Sequence, residues 1–255
     1  MALSPTHQIP WDAYETWARQ QWTLTHGPGT GDRAQYKHLA ATAGYDPQRL
    51  VKQKSNGAVP LYAVRDLARG LHINPLTALT TFTPIPHPTA PPTRREWLTQ
   101  ITTVELHTEL LRRLHHPTPP APTTDLPAPA PWATTLLNGP HHQPPGARGQ
   151  RRKHVAEQVL GIPYNTLRTK ERRGTWTVPE LHALCEWAGW NLHLGLAVTG
   201  WLTWQELGLD PRDRYAALRD VDGGELVDAI EAGLSTARKT LDRTQKTIAT
   251  KERSR

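Results

Sequence analysis

The sequence predicts a mainly α protein: two helix-turn-helix units joined by a proline-rich linker, a candidate short strand after the second unit, and a coiled-coil-like helix at the C-terminal end. Three observations carry this expectation. The stretch KHVAEQVLGIPYNTLRTKERRG, residues 153–174, has an apolar helical stripe (Val155, Ala156, Val159) that stops at Gly161. A second helix opens at Ile162-Pro163, with Leu167 pointing back at the first, so that Gly takes a left-handed turn between two short helices. The same pattern recurs in LAATAGYDPQRLVKQKSNG, residues 39–57, where Leu39-Ala40 match Val155-Ala156, Gly44 matches Gly161 and Leu50 matches Leu167. Between the two copies, seven prolines from Pro117 to Pro131 leave no room for a helix and suit an extended spacer.

In chain order, residues 11–24 place Trp11, Tyr14, Ala18 and Trp22 on one helical face and form the first helix. The loop THGPGTGDR breaks it, and the first helix-turn-helix follows. Asp46 before Pro47 is an N-cap followed by a proline at the first helical position. Past Gly57, Val59-Pro60 opens a further helix that runs to Gly70; in the second copy Val178-Pro179 and Gly189 take those places. Lys37-His38 and Lys153-His154 match on the approach. Residues 83–93, with five prolines, form an extended link, and a helix over 95–114 carries Trp97, Ile101, Val104 and Leu111 in one stripe. Trp132 to Leu137 forms a short helix of the second unit.

Beyond the second helix-turn-helix, LHLGLAV (192–198) alternates with period 2 and predicts a strand. The chain then turns acidic over 206–231 and basic again over 232–255. Across that reversal Val227, Ile230, Leu234, Ala237, Leu241, Thr244 and Ile248 are spaced alternately by 3 and 4, a coiled-coil seam that predicts a homodimer through residues 227–248. The expected domains are therefore 1–82, a linker of 83–131 holding the helix 95–114, a second domain of 132–205 and a C-terminal helical segment of 206–255.

The formal net charge of +7 favours a polyanionic partner. One cysteine, Cys185, fits a reducing compartment, and the chain has neither a leader-like N-terminus nor a stretch of the ~20 apolar residues that a membrane span needs. The expectation is a cytoplasmic protein. His115-His116 and His141-His142 sit in proline-rich loops with no Cys or carboxylate at ligand spacing, so neither a metal nor a cofactor is expected. Phosphate-loop, nucleophile-elbow and His-Glu-helix-His motifs are absent, which argues against an enzyme.

The repeated pattern resembles the lambda-repressor-like (XRE-type) DNA-binding family, and two such units around a proline-rich linker are similar in outline to actinobacterial phage immunity repressors. The resemblance covers residues 11–80 and 132–200. It implies that the second helix of each unit enters the major groove, which assigns Asp46, Pro47, Gln48, Val51 and Lys52 in the first unit and Pro163, Tyr164, Asn165, Arg168 and Thr169 in the second. Both copies carry one more residue before the closing Gly than the usual pattern, and Gln53 stands where an apolar residue is common. TLRTKERRG is also similar to the MerR-type helix TLRYYERRG, but Thr169-Lys170 replace the paired tyrosines and no Gly-Tyr-Arg wing follows.

Residue chemistry extends the candidate contacts to double-stranded DNA. Gln and Asn suit adenine and Arg suits guanine, which adds Arg49, Lys54, Thr166, Lys170 and Arg172 on the two helices. Arg148, Arg151, Arg152 and Lys153 form a basic arm before the second unit, suited to phosphate or minor-groove contact. The expected function is a sequence-specific regulator of transcription, a repressor, that reads the major groove with both units. The alternative is a protein-interaction component, antitoxin-like or a replication accessory, acting through its C-terminal helix.

Overall fold

The computed structural model describes residues 8–32, 34–86, 90–115, 130–138, 152–231, 234–235 and 238. The chain divides by its contacts into two compact units: Met1–Pro92 with Ala128–Asp210, and Thr93–Pro127 with Pro211–Arg255. Both helix-turn-helix copies fall in the first unit. The helix placed in the linker and the C-terminal segment from Pro211 onward fall together in the second, while 206–210 belong to the first.

In the first unit a short strand β1 (Gln8–Pro10) leads into helix α1 (Trp11–His26), which buries Trp11, Tyr14, Trp17 and Ala18 along one side. Trp17, outside the apolar set read from the sequence, belongs to that face. Helices α2 (Tyr36–Thr42) and α3 (Pro47–Ser55) form the first helix-turn-helix. Strand β2 (Ala58–Pro60) pairs antiparallel with β1, with Ile9 opposite Val59, and leads directly into α4 (Leu61–Gly70); α5 (Pro75–Thr80) closes the head, capped by Asn74.

The second head repeats this order with α8 (Ala130–Asn138), α9 (152–159), α10 (Tyr164–Arg173), α11 (Val178–Ala188) and α12 (Leu192–Val198), followed by a 3-10 turn at Gln205–Leu207. The region 192–198, where period-2 alternation predicts a strand, is helical. All seven of its residues are buried, so it has no polar face to mark a helical period, and Asn191 caps it by accepting from the Leu194 amide at 3.1 Å.

The two heads share one register from the turn onward. Gly44 and Gly161, Gly57 and Gly174, and Asn74 and Asn191 are each 117 residues apart. Each pair plays one role: Gly44 (φ 70°) and Gly161 (φ 62°) make the turn, Gly57 and Gly174 (both φ 67°) close the second helix, and the two Asn side chains cap the last one. This register moves two of the matches made from sequence. The partner of Gly189 (φ 64°) is His72 (φ 58°), not Gly70, and Val59-Pro60 correspond to Trp176-Thr177. Gly70 has a separate task. A Cβ there would lie 1.9 Å from the Thr42 carbonyl oxygen, so its absence lets α4 close on α2.

Upstream of the turn the offset is 116, since Leu39 matches Val155. The extra residue of the second head is absorbed by winding Val155–Val159 as a π-helix, in which the Leu160 amide bonds the Val155 carbonyl. The turn itself is unchanged. Tyr45 N donates to Ala40 O at 2.7 Å in one head, and Ile162 N to Ala156 O at 2.9 Å in the other.

In the second unit the helix expected over 95–114 is two helices, α6 (Arg94–Leu98) and α7 (Thr103–His115). The break follows from two consecutive capping pairs. Thr93 and Glu96 cap α6; the Thr102 amide donates to Glu105 at 2.7 Å and the Glu105 amide to Thr102 at 3.1 Å at the start of α7. Val104 and Leu111 are consequently exposed, while Leu106 and Leu110 pack against Leu218 of α13 (Asp213–Arg219), Leu226 and Ile230 of α14 (223–231), and Val221 between those two helices. Arg214, fully buried, pairs with Glu105 at 3.1 Å. Along the expected seam Ile230 is therefore core, Val227 and Leu234 are exposed, and Ala237, Leu241, Thr244 and Ile248 lie outside the described residues.

The turn glycines give a direct stability test. Nothing lies within 4 Å of a Cβ added at Gly161, so Gly161→Ala is expected to lose about 1–2 kcal/mol through left-handed strain alone. Gly70→Ala must displace backbone and is expected to lose about 3 kcal/mol or more. Denaturant unfolding of the two variants measures both.

Candidate nucleic-acid interface

Helix α3 starts where Asp46 accepts from the Gln48 amide at 2.8 Å and Pro47 takes the first turn. Helix α10 starts at Pro163 without a side-chain cap. In each, one leucine is fully buried against the head, Leu50 and Leu167, and anchors the helix with about 2–3 kcal/mol of apolar burial. This fixes which side faces outward. Gln48, Val51, Lys52 and Ser55 share the outer side of α3 and are exposed. The residues 117 positions on, Asn165, Arg168, Thr169 and Arg172, share the outer side of α10; all are exposed except the half-buried Thr169, whose hydroxyl donates to the Asn165 carbonyl at 3.0 Å.

Other candidates read from the sequence are engaged in the fold. The Arg49 guanidinium stacks over the rings of Tyr45 (4.2 Å) and Tyr62 (5.0 Å), and the Tyr45 hydroxyl donates to Asp66. Lys54 bonds the Tyr36 hydroxyl, which in turn donates to Glu15 at 3.1 Å. Lys170 pairs at 3.0 Å with the buried carboxylate of Glu180 and also donates to the Thr175 carbonyl. Arg152 pairs with Glu171 at 2.9 Å, and exposed Lys153 stands 3.9 Å from Glu157. Tyr164 and Thr166 are half-buried. Arg148 and Arg151 lie outside the described residues.

The outward surface is thus narrower and better defined than the list of basic residues. It is centred on the two matched quartets, with exposed Arg173 beside the second; Arg49 and Lys54 are exposed as well but are held by Tyr45 and Tyr36. Ser55 was not singled out from the sequence; the offset of 117 identifies it through Arg172. Among the described residues no group of three or more His, Cys, Asp or Glu could hold a metal ion, and no helix is long and apolar enough to cross a membrane.

Behind the first quartet lies a polar hub. Glu15 accepts from Trp11 Nε1 at 2.7 Å, from Arg19 at 2.8 Å and 3.0 Å and from the Tyr36 hydroxyl, while Arg19 also holds the Gly31 and Ala34 carbonyls. Burial pushes the Glu15 carboxyl up, but the hydrogen bonds from Arg19, Trp11 and Tyr36 and the Arg19 charge outweigh it and hold the group below its ordinary range. A lowered folded-state pKa stabilises above the unfolded value near 4.5, and that stability is lost as pH falls through the folded value. Glu15→Gln is therefore expected to destabilise the protein at neutral pH, with a deficit that shrinks below about pH 4.5 in pH-dependent unfolding.

The engaged and outward groups should separate in the same assay. Lys170→Ala leaves the buried Glu180 carboxylate without its cation and is expected to lose about 3 kcal/mol. Arg168→Ala, on the outer face, should change stability by no more than about 0.5 kcal/mol.

Compared with known proteins, the chain matches no family model, no curated protein and no solved structure.

Proposed function

We propose that this protein is a sequence-specific double-stranded DNA-binding regulator of transcription, a repressor, whose two heads each present the second helix of a helix-turn-helix to the major groove. The observation that carries this reading is the matched outer face: the same four helical positions are turned outward in both heads and, Val51 apart, hold amide, hydroxyl, ammonium and guanidinium groups. Asn165 and Gln48 suit adenine, Arg168 suits guanine, and Lys52, Arg172 and Arg173 suit phosphates. The two heads are unequal. The second offers Asn, Arg, Thr and Arg where the first offers Gln, Val, Lys and Ser, so the second carries most of the base discrimination and the first adds register and an apolar contact from Val51. No enzyme activity or cofactor belongs to this reading, and the single cysteine, buried Cys185, suits the cytoplasm.

A second reading, a protein-interaction component working through its C-terminal helix, is favoured by the exposed Val227 and Leu234. Self-association through 227–248 is compatible with both readings. Its test must spare the fold, because Leu226 and Ile230 are core residues and cutting at Gly223 would remove them. Leu234→Glu alters only the exposed seam, and its mass in solution at micromolar concentration is expected to be half that of the parent chain; equal masses rule out a dimer held by this seam.

The regulator reading is tested by selecting sites from random-sequence DNA and titrating them. Arg168→Ala is expected to relax the preference at one base pair and to weaken binding there by about 1–3 kcal/mol. A uniform loss over all sequences would make Arg168 a phosphate contact. Absence of any preferred site favours the second reading.

A further inference from the structure

The two heads are joined by more than the chain between them. Arg65 and Arg69 project one turn apart from α4 of the first head and grip the segment that follows α12 of the second. Arg69 forms a two-point fork with Glu206, Nε to Oε1 at 2.7 Å and Nη2 to Oε2 at 2.8 Å. Arg65 lies over the Trp201 ring, 5.4 Å from its centroid, and both arginines approach the Trp201 carbonyl, at 3.5 Å and 3.4 Å. Asn74, the cap of α5, donates to the Glu206 carbonyl at 3.4 Å. Each side of this grip is tied to its own recognition helix. Trp201 Nε1 donates at 2.7 Å to the carbonyl of Trp176, two residues past the glycine that ends α10. On the other side Arg65 bonds Asp66, which accepts from Tyr45, whose ring carries Arg49 of α3. Glu206 is itself held by the Thr203 amide at 2.7 Å, so its carboxylate is oriented before Arg69 meets it.

We propose that Arg65 and Arg69, closed on Trp201 and Glu206, act as a clamp that fixes α3 relative to α10 and thereby sets the spacing between the two half-sites the protein accepts on DNA. This rests on the DNA-binding reading for its ligand, but not for the clamp itself. Arg69 and Glu206 are positioning residues, since neither lies on the outer face of a recognition helix. One added base pair moves a half-site by ~3.4 Å and turns it by about a tenth of a helical turn. Two heads held rigidly cannot follow that change and lose the advantage of binding together, whereas two heads on a loose tether can.

Two measurements on the full chain test the clamp. Without DNA, spin labels at Lys37→Cys and Glu186→Cys, both exposed and away from the interface, report the distance between heads in a Cys185→Ala background. A single narrow distribution is expected with the native clamp and a broad one with Arg65→Ala and Arg69→Ala together; equal widths overturn the proposal. With DNA, a site recovered by random-sequence selection is rebuilt with one base pair inserted between its halves. The native protein is expected to lose about tenfold in affinity and Arg69→Ala less than about threefold, with Arg69→Glu combined with Glu206→Arg returning the tenfold loss. A variant that keeps the native spacing requirement overturns the proposal, while a native protein with no preferred site sinks the regulator reading and leaves the label distances to decide the clamp.

Discussion

The left-handed turn at Gly44 and Gly161 is the constraint from which the geometry of each head follows. A residue with a Cβ resists that conformation, and without it α3 and α10 could not fold back to seat Leu50 and Leu167 in the cores. The second head shows how strongly the turn is kept. One additional residue upstream could have rotated α10 by about 100° relative to the core. The chain instead winds Val155–Val159 as a π-helix, which takes up the residue before the turn and preserves the bond from Ile162 to Ala156. A locally unfavourable winding is accepted in order to keep Asn165 and Arg168 pointing outward.

Charge in this molecule divides into two populations. Lys170, Arg152, Arg69, Arg112 and Arg113 each meet a carboxylate within hydrogen-bond distance, and Arg49 is stacked on two tyrosines. Those groups stiffen the scaffold. Lys52, Arg168, Arg172 and Arg173 remain on the surface of α3 and α10, and they set the local field a polyanion would meet there. The formal charge of +7 sums both populations and does not by itself distinguish them.

Much of this was legible in the sequence. The repeat, the turn glycines, the Asp46-Pro47 start and the buried leucines are local features, written in spacing and in the conformational limits of Gly and Pro. The misreadings have specific causes. Helix α12 was hidden because complete burial removes the polar face that reveals a helical period, although the Asn74 and Asn191 caps, 117 residues apart, carried the correct answer. The break between α6 and α7 was masked by apolar residues that happen to continue a stripe across Thr102, the second N-cap. The narrowing of the candidate interface was illegible for another reason. Whether Lys170 reaches DNA or Glu180 depends on a packing that brings α10 against the capping box of α11, and composition is blind to that. The grip of Arg69 on Glu206, across 137 residues of chain, belongs to the same class.

The division of the chain also bears on the order in which it acquires structure. The second unit is built from 93–127 and 211–255, with the whole second head inserted between them. Leu106 and Leu110 of α7 thus wait for Leu218 and Leu226, which are encoded about a hundred residues later. At ribosomal rates of about 5–20 residues per second, that interval is roughly 5–20 seconds. During synthesis the first head, and then the second, can complete their own packing from contiguous chain, while α7 stays amphipathic and uncovered. Closing so long a loop adds only slowly to the entropy of folding, so the interval weighs on kinetics and exposure to chaperones more than on final stability. Because of the same insertion, the second unit cannot form until translation has passed both helix-turn-helix heads.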